Sequence, residues 1–166
     1  MAGHADRLAR DVCLFLKERG LALVQIIYVS AARPEASAAQ LDAILEAAAR
    51  HNQRQGITGM LLYAGGSFLQ VLEGEEEAVD ETFRRISRDA RHAGIMVIQR
   101  EHVAERSFSQ WNMGFRRLKT EDAAAHPAYA PFFEHGFDAR QIGARPGLAM
   151  EILAEFAHGQ RAEVVR

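Results

Sequence analysis

The dipeptide Gly65-Gly66 restricts this chain more than any other feature, because it sits between two strand-forming runs, ITGMLLYA and SFLQVLEG. Glycine reaches positive φ without steric cost, so a two-residue turn there closes a β-hairpin. Helical periods flank the hairpin on both sides. Upstream, Leu41, Ile44, Leu45 and Ala48 recur at helix spacing between Ser37, a candidate N-cap, and Gly56, a candidate stop. Downstream, Gly74 and the glutamates at 75–77 open a second helix that carries Val79, Phe83 and Ile86 to about Asp89. Acidic groups suit that end of a helix dipole. The aliphatic run LALVQIIYVS (21–30) precedes the first helix as a buried strand, with a break at Pro34. Gly94 leads into IMVIQREHV, and SFSQWNMGFRRL supplies a last strand on which Trp111 and Met113 share a face. The order β-α-β-β-α-β-β predicts an α+β, ferredoxin-like βαββαββ fold with a five-stranded mixed sheet and two helices on one face.

Both ends add helical segments. Residues 5–19 place Leu8, Val12, Phe15 and Leu16 at helical spacing, ending at Gly20, and this short helix needs a partner to pack on. From about 119 the chain holds three of its four prolines, the aromatics Tyr129, Phe132, Phe133 and Phe137, and then Leu148, Ile152 and Phe156 four apart. Too few apolar residues stand there for an independent core, so the tail is expected on the sheet face opposite the two helices. The expected organisation is an N-terminal helical extension (1–20), a core domain (21–118) and a C-terminal helical extension (119–166).

Charge narrows the function. Twenty basic against 22 acidic side chains give a net charge of -2, which argues against a broad basic surface for nucleic acid. No apolar run approaches the roughly 20 residues a membrane span needs, and charges interrupt the apolar start as no signal peptide allows. One cysteine, Cys13, excludes internal disulfides and four-cysteine zinc sites, so a soluble protein of a reducing, cytoplasmic compartment is expected. Seven histidines include no i,i+4 pair with a nearby carboxylate, so no metal site is expected. GGSF lacks the lysine and length of a phosphate loop, and Ser30 and Cys13 lack a nucleophile's context.

Polar residues in apolar positions are the candidates for chemistry. Tyr28 stands near the end of an aliphatic strand. Gln70 lies mid-strand in SFLQVLEG, sharing a face with Phe68 and Leu72. A buried glutamine needs partners for one acceptor and two donors, which a core tyrosine or a polar ligand would supply. His51 and Asn52 end the first helix, while Arg85 and Asp89 lie four apart on the second. These four could face one ligand between the helices. Each also has a plainer reading, as a helix-end residue or a surface ion pair worth a few tenths of a kcal/mol.

The string from LVQIIYVS through ITGMLLYAGGSFLQVLEG to FSQWNMGFRRL resembles a BLUF domain, a blue-light sensor that uses FAD. Over about residues 21–118, Tyr28, Asn52, Gln70, Trp111 and Met113 follow the family's order and spacing, and the DARH stretch (89–92) is also similar. The resemblance implies that Gln70 lies between the Tyr28 hydroxyl and the N5/O4 edge of the flavin. Asn52 would bond the ring at O4 and N3, and Asp89 and Arg85 would hold its N3/O2 side with His51 close by. The family alternates residues at the Trp111 and Met113 positions near the glutamine. Light would drive electron and proton transfer from Tyr28, rearrange Gln70 and shift flavin absorption to the red. The tail, at about 48 residues, is too short for a catalytic output domain, so the resemblance implies a non-enzymatic, homo-oligomeric photoreceptor that signals to a downstream protein. The alternative on the same topology is an acylphosphatase-like hydrolase using Arg85 and Asn52. An RNA-binding sheet would need aromatics with basic neighbours, which SFLQVLEG does not offer.

Overall fold

The chain runs α1 (Ala2–Glu18), β1 (Leu23–Ala32), α2 (Ala38–Gln55), β2 (Thr58–Ala64), β3 (Ser67–Glu75), α3 (Glu76–Ser87), β4 (His92–Val103) and β5 (Gly114–Arg117). The tail adds α4 (Thr120–Ala125), a 3-10 turn at Ala130–Phe132, α5 (Ala139–Gly143) and α6 (Leu148–Ala157). The computed structural model describes residues 2–19, 22–32 and 37–157, and the expected stop at Gly20 and break at Pro34 lie outside them.

The hairpin forms where the glycines put it. Gly65 and Gly66 take φ of 55° and 79°, and β2 and β3 pair antiparallel from Ala64↔Ser67 outward. The five strands lie in the order β4-β1-β3-β2-β5, antiparallel except for the parallel β2–β5 pair, so the sheet is mixed. Ser37 caps α2 through a reciprocal pair of bonds with Gln40, and Gly56 ends the helix at φ 67°. Leu41 and Leu45 of α2 and Val79 of α3 pack on Val24, Ile26, Tyr28, Leu61, Phe68 and Leu72, so both helices cover one face.

The tail covers the other face, as its apolar spacing predicted. Phe133, Ile142, Ile152, Leu153 and Phe156 join Ile27, Val29, Met60, Leu62, Leu69 and Val71 in a single buried cluster. Polar contacts fix it in place. Phe137 N donates to Ser67 Oγ at 2.7 Å, and Arg116 donates to Asp122 Oδ1 at 2.5 Å while its guanidinium lies 5.1 Å from the Phe156 ring. Any side chain at Gly65 would come within 2.6 Å of Gly136 N, so the hairpin tip admits the tail only as glycine.

One expectation is corrected, and one helix is left without the partner its apolar face calls for. The last strand covers Gly114–Arg117 and not the whole of SFSQWNMGFRRL. And α1 finds no packing partner among the described residues: Leu8, Val12, Leu14 and Phe15 are each more than half exposed, and none joins either apolar cluster.

Candidate functional site

Between α2 and α3 lies a cleft with about 630 Å³ of empty space, part of it open to solvent. Ile44, Ala47 and Ala48 of α2, Ile86 of α3, and Leu61 and Phe68 of the sheet give it apolar walls. Polar groups stand at its base and rim. A flat apolar ring with a hydrogen-bonding edge is the kind of molecule such a slot accommodates.

At the base, the β1–β3 register sets Tyr28 directly opposite Gln70, so the two side chains emerge together on the cleft face. The Tyr28 hydroxyl donates to Gln70 Oε1, and Gln70 Nε2 donates to Met113 Sδ at 3.5 Å. Tyr28 is completely buried, and Phe83 packs on its ring at 5.3 Å with an interplanar angle of 64°. Burial pushes the phenol above the ordinary tyrosine range, because a phenolate there would lose its hydration. Tyr28 is therefore neutral and acts as a hydrogen-bond donor to Gln70.

The helices supply the rim. Asn52, buried at the end of α2, donates from Nδ2 to Asn112 O at 2.8 Å. His51 bridges to α3: Arg85 Nη1 lies 2.6 Å from His51 Nδ1, and His51 Nε2 lies 3.0 Å from Thr82 Oγ1. A guanidinium only donates, so Nδ1 accepts and the proton of a neutral ring sits on Nε2, facing the threonine hydroxyl. Partial burial lowers the His51 pKa, and the Arg85 and Arg54 charges lower it further.

Asp89 does not pair with Arg85. α3 ends at Ser87, so the expected four-residue helical spacing never reaches Asp89. The chain turns back instead, and Arg91 donates to the Asp89 carboxylate from Nε at 2.9 Å and from its backbone N at 2.9 Å. Hydrogen bonding from Arg91 holds the carboxyl at a pKa of about 2 against the opposing effect of its partial burial. Both Arg85 and Asp89 still line the cleft.

Trp111 and Met113 do not share a face either. They precede β5, held by single contacts in place of a ladder: Gly59 N donates to Trp111 O at 3.1 Å, and Asn112 Nδ2 to Ile57 O at 3.2 Å. Strand alternation does not govern such a segment. Met113 enters the cleft cluster while Trp111 packs against the tail cluster, so the two side chains point to opposite sides of the sheet. Gly114 makes room for this, since a Cβ there would stand 2.7 Å from Met60 Sδ and 3.3 Å from the Trp111 ring.

Sequence reasoning missed several residues in the cleft or bonded to its lining. Ser30, two positions after Tyr28 and so on the same face, lies 2.9 Å from His92 Nδ1. The His92 ring packs 5.2 Å from Phe68, and burial lowers its pKa. The period of two along β1 was the signal that could have found Ser30. Thr82 and Asn112 gave none, since each gains its place only through a partner distant in sequence. Among the described residues no group of three metal-ligating side chains occurs, and no helix is long and apolar enough to cross a membrane.

The family model for sensors of blue-light using FAD, BLUF, matches residues 23–114. The photoactivated adenylate cyclase subunit beta of Euglena gracilis is 37% identical over 92 residues, which are 55% of this chain and 11% of that protein. The blue light- and temperature-regulated antirepressor BluF of Escherichia coli (strain K12) is 33% identical over 100 residues, 60% of this chain and 25% of its own. The chain thus spans a minor part of these curated relatives. Among solved structures, BlrB in its dark state is 33% identical with a TM-score of 0.66, covering 82% of this chain and 96% of its own. BlsA in its photo-activated state has a TM-score of 0.72 at 26% identity, covering 86% and 99%.

The chain belongs to the BLUF family, the blue-light sensors that use FAD. It is a flavin-binding photoreceptor domain whose match covers 96% of BlrB and 99% of BlsA, and no catalytic domain occurs among the described residues. The acylphosphatase-like alternative gives way to this membership.

Proposed function

We propose that Tyr28, Gln70 and Met113 form a light-driven hydrogen-bond switch at the base of the cleft. The observation that carries it is the unbroken chain from the Tyr28 hydroxyl through the Gln70 amide to Met113 Sδ. Bound FAD supplies the absorption of blue light and an excited ring able to take an electron from a neighbouring phenol. Tyr28 gives up an electron and its phenolic proton and then recovers both, so no net oxidation remains. Gln70 is the group left changed. Its amide exchanges donor and acceptor faces by rotating or tautomerising, which alters what it presents to the ring. Asn52 and Gln70 hold the polar edge of the ring, and His51, Arg85 and Asp89 close the rim between the helices.

The photosensor domain is residues 21–118, and the extensions at 1–20 and 119–166 carry output to a partner protein, with a homo-oligomer as the working unit. The named relatives support an output of this kind, one being a cyclase subunit and another an antirepressor. The test is a light-minus-dark absorption spectrum of the parent and of Gln70→Leu. The parent shifts to the red under blue light and returns in the dark, while Gln70→Leu binds flavin and does not shift. A normal red shift in Gln70→Leu contradicts the switch.

A further inference from the structure

We propose that Glu73 is a positioning residue whose buried carboxylate clamps the loop between β4 and β5, holds Met113 beside Gln70, and thereby sets how long the lit state lasts. The proposal rests on the switch described above. Glu73 lies on β3 three residues after Gln70, hence on the opposite face of the sheet, and it is 0% exposed. A carboxylate so placed must be met by donors. Thr58 Oγ1 at 3.1 Å and Phe108 N at 2.6 Å donate to Oε1, while Gln25 Nε2 at 3.2 Å and Ser107 N at 2.9 Å donate to Oε2. Four donors fill the roughly four acceptor sites of a carboxylate.

Two of those donors are backbone groups of the loop. Arg106 reinforces them, donating to Thr58 Oγ1 at 2.9 Å, to Glu73 O at 3.0 Å and to Gly56 O at 2.7 Å. From Phe108 the path to the cleft is short: Trp111 N donates to Phe108 O at 3.2 Å, and Met113 follows two residues later. Glu73, Thr58, Gln25 and Arg106 do not line the cleft themselves. A substitution among them acts on Gln70 through the loop and Met113 and not by altering the cleft lining.

Glu73→Gln turns an N–H₂ group toward donors that the carboxylate oxygens had received, so one half of the clamp opens. Met113 then restrains Gln70 less, and the barrier to dark recovery falls, with recovery faster by about 3- to 10-fold. The experiment follows the red shift and its dark decay in the full chain, well below the unfolding temperature. It compares the parent with Glu73→Gln, Thr58→Val and Arg106→Met. Leu153→Ala, in the tail on the same face and outside the hydrogen bonds of the clamp, controls for lost stability. Support is an intact red shift with faster recovery in the clamp variants, greatest in Glu73→Gln, and a parental rate in Leu153→Ala. Recovery of Glu73→Gln at the parental rate overturns the proposal, as does equal acceleration in Leu153→Ala. Should Glu73→Gln fail to fold, Thr58→Val and Arg106→Met decide by the same criterion. Hydrogen exchange at the Ser107 and Phe108 amides in the dark reads the clamp without light. A parent lacking any red shift refutes the switch, whereas unprotected amides in a parent that cycles refute only the clamp.

Discussion

On the tail face of the sheet, Phe133, Ile152 and Phe156 fill the space against Met60, Leu62 and Leu69, whereas on the cleft face α2 and α3 stand apart over Tyr28 and Gln70. One strand serves both arrangements. Along β3, Leu69 and Val71 enter the packed side while Phe68, Gln70 and Leu72 face the helices. The packed side provides rigidity, and the open side keeps a ligand-sized slot with its hydrogen bonds aimed inward. The tail is therefore part of the structure the photoreceptor needs, because it buries the face that two helices alone would leave wet. Contact between the two sides runs around the β5 edge, where Met113 faces the cleft, Trp111 faces the tail and Arg116 holds Asp122 and Phe156.

The largest functional effect is expected at the cleft. Tyr28→Phe should retain flavin, since the ring still packs, and lose the light-induced red shift completely because the proton donor is gone. Absorption spectroscopy under blue light checks this, and a parental shift would remove Tyr28 from the mechanism. The largest stability effect is expected on the other face. Phe156→Ala should cost about 3–5 kcal/mol in urea unfolding, the range for an aromatic deleted from a core. Its flavin content and dark spectrum should match the parent, and loss of flavin from the folded variant would mean the faces are not separable.

A smaller effect is expected where the cleft meets the edge. Asn52→Ala leaves Asn112 O and the rim without a donor, and should weaken flavin binding by about 1–3 kcal/mol and so lower its occupancy. Flavin-to-protein ratio after purification measures it, and an unchanged ratio would make Asn52 a helix-end residue alone. The smallest effect is the pH response. His51 and His92 both have pKa values lowered below the ordinary 6.5, mainly by burial. Their neutral forms therefore contribute stability that is present above 6.5 and lost as pH falls through the lowered folded values. The melting temperature should drop on acidification through that window, and His51→Gln should flatten the drop. An identical slope in that variant would place the titration elsewhere.

Much of the fold was legible because each local signal had a single structural outcome. Gly65-Gly66 allowed one kind of turn, Ser37 and Gly56 bounded one helix, and Leu148, Ile152 and Phe156 described one apolar stripe. Tyr28 and Gln70 were legible as polar residues in apolar surroundings and Asn52 as a helix-end amide facing the gap between the helices, and the structure brings Tyr28 and Gln70 into contact. What failed was extrapolation of a period past the end of its element. The helical spacing of Arg85 and Asp89 breaks at Ser87, and strand alternation between Trp111 and Met113 breaks because β5 starts only at Gly114. The Glu73 cluster was invisible for a different reason. Its donors come from Gln25, Thr58, Ser107 and Phe108, which no local pattern connects.

We expect a change at Gln70 to cross the β5 edge and alter the tail. Hydrogen exchange in the dark and under continuous blue light, over residues 120–157 of a sample whose red shift is monitored, is the deciding measurement. Lower protection is expected in α6 in the lit sample, as the hold of Arg116 on Asp122 and Phe156 loosens. Identical protection across the tail in a sample that has shifted to the red would contradict it, and would send the signal out through α1.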